Sequence, residues 1–389
     1  MKNLVLMGAT GSVGVQALDA ISRIPELQAQ WRIFGLAAGG AHLELLAEQI
    51  RCHQPQIAVV RSAEQAVQLS ERIGTWSGDI LHGAAALAEL AEHTDVQGVC
   101  VAIPGQQSFV PAWRALRAGK HLALASKEAL VVGGQWLMAC AAQNLWPVDS
   151  EHAALHQLLR GIHVPVRRAV MTASGGPFLR TPQSEWPEIT PAAALQHPTW
   201  SMGPRISVDS ATLMNKAFEW IEAQWLFGKR VRDFEVWIHP QSMVHGLIEH
   251  EDGSLWAQLG PRDMRHAIAY ALGGERSPSW PWPRLRLEDL SRLEFLPVDE
   301  ARFPALGLAR QVWAQGGLWP AVLEAADALA VAAFLKGRLP FDRLVGCVAE
   351  VLQRFSMDLD AVPENVGAVA AEVELCFQNV WEHFNAKTR

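Results

Sequence analysis

Three short windows carry more chemistry than the rest of this 389-residue chain. The richest runs from His197 to Trp220, HPTWSMGPRISVDSATLMNKAFEW. Ser207, Ser210 and Thr212 offer hydroxyls, Asn215 an amide and Lys216 an ammonium, which together suit a phosphate monoester held by charge-assisted hydrogen bonds. If Asp209 to Trp220 forms one helix, Asn215 and Glu219 fall at i and i+4 on one face, with Lys216 at i, i+3 from Glu219 beside them. The window opens on His197, Trp200, Met202 and Gly203, interleaved with Pro198 and Pro204, which exclude helix and predict a lid over 197–205. Taken alone, it fits a capped amphipathic helix with a surface Lys/Glu pair equally well.

The second window is Val148-Asp149-Ser150-Glu151-His152, at the end of the apolar run Leu145–Val148. Ligands of open α/β sheets sit at such strand ends, and in an extended backbone Asp149 and Glu151 point to one side. With Glu219 they would make an all-oxygen site for Mg²⁺ or Mn²⁺ rather than zinc. On a solvated loop, the same pair is more often only a polar strand end. The third window, Gly8-Ala9-Thr10-Gly11-Ser12-Val13-Gly14, follows a strand at Asn3–Met7 and opens a helix to about Arg23. That order is the context a dinucleotide fingerprint requires, because glycines permit the tight turn and the helix N-terminus faces the pyrophosphate.

The elements that must hold these windows alternate. Strands are expected at Ile33–Ala37, Ile57–Val60, Gly98–Ile103 and His121–Ala125, between helices at Ala41–Ile50, Ala84–Glu92 and Ser108–Ala118, which predicts a doubly wound parallel sheet. Beyond it, Arg168–Ala173, Glu235–Ile238, Val244–Glu249 and Ser254–Leu259 read as strands, the last two joined by Asp252-Gly253 as a hairpin. Ser174-Gly175-Gly176-Pro177 offers exposed amides and a hydroxyl for a phosphate oxygen, or a plain turn. Ser277–Arg286, rich in Pro and Trp, reads as a linker. Apolar residues at i, i+3, i+4 predict helices at Ala321–Leu335, Phe341–Phe355 and Val366–Phe384. The predicted class is α/β: an N-terminal Rossmann-type doubly wound sheet over 1–148, a central α/β catalytic domain over 149–285, a linker over 286–310 and a C-terminal helical domain over 311–389.

These motifs, with Ser126-Lys127-Glu128, Ser174–Phe178 and Ile238-His239-Pro240-Gln241-Ser242, keep an order and spacing that resemble the 1-deoxy-D-xylulose 5-phosphate reductoisomerase family from residue 3 to about 265. The tail resembles it less specifically. The resemblance implies a rearrangement of that phosphosugar followed by hydride delivery from NADPH, giving 2-C-methyl-D-erythritol 4-phosphate for isoprenoid synthesis. It places Asp149, Glu151 and Glu219 on Mg²⁺ or Mn²⁺, Lys127 and Ser150 beside the substrate hydroxyls, and Ser174, Ser210, Asn215, Lys216 and His197 on the phosphate. Trp200 and Met202 would cover the site, and Lys127, Asp149, Glu151 and Glu219 would carry the catalysis. Gly8, Thr10, Gly11, Ser12, Val13, Gly39, Ser126, Glu128 and Gly203 would touch the cofactor, and His245 would stand behind the metal carboxylates. A homodimer is implied as well.

Several positions depart from the family pattern. Gly40 and Ala41 stand where a basic residue and an Asn are usual, so the expected grip on a 2′-phosphate is missing, and Arg61, after the strand Ile57–Val60, is the substitute the sequence offers. No Asp or Glu ends the second strand to hold a ribose 2′-hydroxyl, which favours NADP over NAD. Ser126 and Ala153 replace Asn, Pro204 replaces a basic residue, and Glu324, Asp327 and Ala328 replace Asn, Asn and Glu.

Composition sets the remaining bounds. The net charge of −7 argues against nucleic acid or an anionic membrane as partner. No apolar run reaches the roughly 18 residues that span a bilayer, so a cytoplasmic protein is expected. Cys52, Cys100, Cys140, Cys347 and Cys376 lack CxxC spacing and read as buried small hydrophobes. This weighs against one rival, a semialdehyde dehydrogenase, which also opens with GATGxVG but needs an activated cysteine. The other rival, a non-catalytic NADP-binding sensor on the same fold, has no need for three spaced carboxylates.

Overall fold

The computed structural model describes all residues except 142, 163, 165, 198, 199, 201, 275–277 and 388–389, and no side chains of 382–387. Pro198, Thr199 and Ser201 of the expected lid, and Ser277 of the expected linker, therefore lie outside the described residues. By contacts the chain divides into two compact units: Met1–Ala129 with Gln135–His156 and Asp263–Leu285, and Leu130–Gly134 with Gln157–Arg262 and Arg286–Arg389.

In the first unit seven strands form one sheet: β1 (Lys2–Met7), β2 (Trp31–Ala37), β3 (Ile57–Val60), β4 (Asp79–His82), β5 (Gly98–Val101), β6 (His121–Leu124) and β7 (Leu145–Pro147), ordered β4-β3-β2-β1-β5-β6-β7 and parallel throughout. The intervening helices are α1 (Ser12–Arg23), α2 (Pro25–Gln30), α3 (Leu43–His53), α4 (Ala63–Ile73), α5 (Gly83–Glu92) and α6 (Phe109–Arg117), and α7 (Lys127–Ala141) and α8 (Ser150–Leu159) begin just past β6 and β7. Central strands covered on both faces must be apolar without interruption. Leu4–Met7 and Val99–Val101 accordingly have no exposed surface. The strand order reverses between β1 and β5, so the crevice at the carboxyl end of β1 is the switch point where doubly wound sheets bind ligands.

The second unit holds a five-stranded sheet of β8 (Val166–Ala173), β9 (Val231–Ile238), β10 (Val244–Glu249), β11 (Leu255–Leu259) and β12 (Leu296–Pro297), ordered β11-β10-β8-β9-β12. The β10–β11 hairpin forms at Asp252-Gly253 as expected. Between β8 and β9 run α9 (Pro191–Ala194), α10 (Pro204–Thr212) and α11 (Met214–Phe227). After β11, α12 (Met264–Gly273) returns the chain to the first unit, where Ile268, Ala271 and Leu272 join the core of Leu18, Ile21 and Leu27 on α1 and α2. The Trp31 indole and the His121 ring both meet carbonyls of α12, at 2.9 Å and 2.7 Å. The C-terminal run is helical: α13 (Ala305–Gln315), α14 (Trp319–Leu335), α15 (Leu344–Arg354) and α16 (Val366–Lys387).

Two local expectations fail. The single helix from Asp209 to Trp220 is two, separated by Leu213 in the left-handed conformation (φ 60°). The Thr212 hydroxyl is 3.2 Å from the Val208 carbonyl and accepts from the Met214 amide, offering the backbone partners that compete with continuous helix. The Asp149–Glu151 segment is not extended either. β7 stops at Pro147 and α8 starts at Ser150, so the two carboxylates flank a helix N-terminus, where the partial positive charge favours them.

Candidate active site

In the first unit, the dinucleotide loop is shaped by what glycine lacks. Gly8 has φ 90°, and a Cβ on it would lie 2.2 Å from the Ala102 carbonyl oxygen of the β5 end; one on Gly14 would lie 2.2 Å from Gly8 O. The loop therefore folds flat between β1 and α1. Gly11 caps α1 without any side-chain hydrogen bond and its own amide closes onto the Gly8 carbonyl at 3.0 Å, which leaves the first-turn amides of Ser12 and Val13 for an incoming anion. The residues present fit a pyrophosphate. Gly39 is exposed just past β2, and Glu128 is half-buried in the first turn of α7. Ser126, expected at the cofactor, turns its hydroxyl to the Ile103 carbonyl at 2.6 Å, so it ties the start of α7 to the end of β5.

Lys127, first residue of α7, is buried and places its ammonium 2.7 Å from Asp149. Asp149 also lies 3.9 Å from the His152 ring, and the Ser150 hydroxyl donates to the Glu151 carboxylate. Neighbouring strand ends thus deliver an ammonium and two carboxylates to the carboxyl edge of the sheet. The hard oxygen donors of Asp149 and Glu151 suit Mg²⁺ or Mn²⁺.

The second unit assembles an anion pocket. Gly175 and Gly176 (φ 87° and 70°) turn tightly after β8, and a Cβ on Gly176 would stand 2.6 Å from Ser210 O. This close approach brings Ser174 and Ser210 to one histidine, His197 Nε2, 3.0 Å from each hydroxyl. The Trp200 amide donates to His197 Nδ1 at 3.0 Å. Burial pushes the His197 pKa down to about 4. The ring is then neutral, with Nδ1 as acceptor and Nε2–H as donor, the tautomer an anion requires. On α11, one turn on, the Asn215 amide and the buried Lys216 ammonium both donate to Glu219, which is 2 % exposed. Asn215, Lys216 and Glu219 thus come together as the spacing predicted, although on a shorter helix. Met202 and Gly203 precede α10, with Gly203 exposed as its N-cap. His245 is buried on β10.

One cluster was not read from the sequence as a unit. Arg205, in the first turn of α10, pairs with Glu324 at 2.6 Å and Asp327 at 3.2 Å on α14, and its Nε lies 3.7 Å from Asp209. The signal was there: two extra carboxylates at i, i+3 require a cation, and Arg205 supplies it beside the lid. Of the five thiols expected to be buried, Cys100 and Cys347 are, Cys140 and Cys376 are partly so, and Cys52 is exposed near the end of α3. Burial pushes Cys100 and Cys347 up to about 12 and raises Cys376.

Comparison with known proteins follows this geometry. Three family models match: 1-deoxy-D-xylulose 5-phosphate reductoisomerase over residues 4–134, its C-terminal domain over 145–227, and a further DXP reductoisomerase C-terminal domain over 259–374. The chain is 45 % identical over 359 residues to the 1-deoxy-D-xylulose 5-phosphate reductoisomerase of Anaeromyxobacter dehalogenans, covering 91 % of this chain and 90 % of that protein. It is 44 % identical to that of Pseudomonas syringae pv. tomato, covering 91 % of each. Among solved structures it is similar to the Zymomonas mobilis enzyme in complex with NADPH (TM-score 0.88, 34 % identity, 98 % of this chain and 99 % of that one). It is also similar to a DOX-P reductoisomerase in complex with NADPH, fosmidomycin and magnesium (TM-score 0.91, 32 % identity, 99 % of both).

Proposed function

Because this chain belongs to the 1-deoxy-D-xylulose 5-phosphate reductoisomerase family, we propose that it converts 1-deoxy-D-xylulose 5-phosphate to 2-C-methyl-D-erythritol 4-phosphate with NADPH and a divalent metal. The observation that carries the reading is the anion pocket of Ser174, His197 and Ser210, in a chain that also sets Lys127 on Asp149 at the carboxyl edge of a dinucleotide-type sheet.

Residues 1–148 hold the nucleotide, through Gly8, Thr10, Gly11, Ser12, Val13, Gly39 and Glu128, with Ser126 fixing the start of α7 behind them and Gly203 reaching it from the lid. Residues 149–285 carry the metal and phosphate groups and the lid at 197–205, although α12 within them packs as part of the nucleotide unit. Residues 286–310 connect to the helices of 311–389. Asp149, Glu151 and Glu219 hold Mg²⁺ or Mn²⁺. When bound, the ion supplies charge stabilisation at adjacent carbonyl and hydroxyl oxygens, and the nicotinamide supplies the hydride.

The chain's own groups do the rest. Ser174, Ser210, Asn215 and Lys216, with the neutral His197 Nε2–H, fix the phosphate, whose binding energy then positions the reacting carbons. Lys127 and Ser150 orient the hydroxyls. Trp200 and Met202 exclude water, and Trp200 is already linked through its amide to His197, so phosphate binding and lid position share one ring. His245 buttresses the carboxylates from β10.

We place the enzyme in the cytoplasm as a homodimer. Among the described residues no helix is long and apolar enough to cross a membrane. Leu255 and Trp256 are 58 % and 51 % exposed on β11, an edge strand suited to cover by a second copy.

The test is NADPH oxidation by the purified protein with 1-deoxy-D-xylulose 5-phosphate and Mn²⁺, repeated with NADH and with EDTA. Metal-dependent turnover that is at least about tenfold better with NADPH is expected. No turnover, in protein that binds Mn²⁺ and dinucleotide, overturns the reading in favour of a sensor.

A further inference from the structure

We propose that Arg61 is the residue by which this chain binds the 2′-phosphate of NADPH, in a pocket that Gly39, Gly40 and Gln65 shape at the ends of β2 and β3. The inference rests on reading the first unit as an NADPH site.

In a doubly wound sheet the adenosine ribose lies beyond the carboxyl end of the second strand, where an acidic residue selects NAD and an arginine accommodates the extra phosphate of NADP. Here β2 ends at Ala37 and runs into Ala38-Gly39-Gly40-Ala41-His42, with neither an acid nor a base before His42. The charge comes instead from the neighbouring strand. β2 and β3 are parallel with Ala37 opposite Val59, and the Ala38 amide donates to the Val59 carbonyl at 3.0 Å. Continuing that register two residues sets Gly39 level with Arg61. The side chain follows the same direction, since a Cβ on Gly39 would stand 3.3 Å from Arg61 Nη2. The guanidinium therefore lies over the glycine loop. Gly39 and Arg61 are both exposed, and among the described residues Arg61 has no carboxylate partner.

Gln65 determines why the cation is there and not on the loop. Its Oε1 accepts from the Arg61 amide at 3.1 Å and its Nε2 donates to the Gly39 carbonyl at 3.3 Å, stitching the β3–α4 turn to the loop after β2. Ser62 caps α4 and accepts from the Gln65 amide, which fixes Gln65 at that height. A Cβ on Gly40 would fall 2.1 Å from Gln65 Nε2, and Gly40 has φ 84°. A side chain at position 40 would be strained by this backbone and would push the Gln65 amide away from its bonds to Arg61 and Gly39. The glycines instead give a phosphate close approach to the planar, multiply donating guanidinium, which suits a phosphate dianion better than an ammonium would.

Binding, not turnover, tests this. The full-length protein, wild type and Arg61→Gln, is titrated by tryptophan fluorescence with NADPH and NADH, and by calorimetry with 2′,5′-ADP and 5′-AMP. Charge-assisted contacts of this kind predict that R61Q loses about ten- to hundredfold in affinity for NADPH and 2′,5′-ADP, with NADH and 5′-AMP within about twofold of wild type. Arg61→Lys should recover part of the NADPH affinity. If R61Q keeps the wild-type preference for NADPH over NADH, Arg61 is not the ligand and the inference is overturned. If the wild type binds neither dinucleotide, the NADPH site itself is wrong, a failure plainly different from the first.

Discussion

Removing the Glu219 carboxylate separates what the anion pocket does for folding from what it does for function. Glu219 and Lys216 are paired on consecutive turns of α11 with side chains 2 % and 4 % exposed, and Asn215 donates to the same carboxylate. A one-sided change leaves the remaining charge in a low-dielectric site, where breaking a buried pair costs about 3–5 kcal/mol. Glu219→Ala and Lys216→Ala should each lose stability of that order. The double variant Lys216→Met/Glu219→Leu fills the space with apolar groups of similar size, and such replacements of buried pairs are often neutral or stabilising. Urea unfolding of the four proteins then gives a coupling energy of about 2 kcal/mol or more. Inorganic phosphate binding should be lost in the two variants without Lys216 and Mn²⁺ binding in the two without Glu219, so the double variant loses both although its stability returns. Single variants that each cost under about 1 kcal/mol would refute the claim that this pair is a desolvated ion pair.

Gly14→Ala puts a Cβ 2.2 Å from the Gly8 carbonyl and 2.7 Å from Ala9 Cα, so the loop must open and NADPH binding, read by fluorescence, should fall at least about tenfold. The His197 ring should titrate near 4 in the free protein by NMR, and inorganic phosphate should move its pKa upward, since a bound dianion favours the imidazolium. Because its folded pKa lies below the ordinary 6.5, the unfolded chain takes up the proton first, so His197 lowers stability as pH falls from 6.5 toward 4 and has no such effect above 6.5. Asp149→Ala should abolish Mn²⁺ binding by calorimetry. Cys100 should resist alkylation in the native state and react after unfolding.

The first sheet was legible because parallel strands buried on both faces must be continuously apolar, as Leu4–Met7 and Val99–Val101 are. β4 was missed for the converse reason: Asp79–His82 is an exposed edge strand with no apolar signature. The groups of the anion pocket were legible as residue types at helical spacing, but the break at Leu213 was not, because nothing in a leucine announces a positive φ. Asp149 and Glu151 were identified by type and misplaced by conformation, since a strand and a helix start that meet at Val148 share one apolar run. Glu324 and Asp327 looked like isolated departures, and only the fold brings Arg205 to them across 119 and 122 residues of sequence.

The return of α12 to the nucleotide unit sets a limit on genetic modularity. A gene fragment ending at residue 148 would encode all seven strands of the first sheet yet omit Ile268 and Leu272, which have no exposed surface in that unit's core. Burial of such side chains contributes roughly 1.5–3 kcal/mol each, a large share of the marginal stability of any domain. The fragment would also leave the Trp31 indole and the His121 ring without their carbonyl partners. A nucleotide-binding module of this design cannot be cut out and recombined as one uninterrupted exon-like piece. Its inheritance is tied to that of the catalytic segment threaded between its parts.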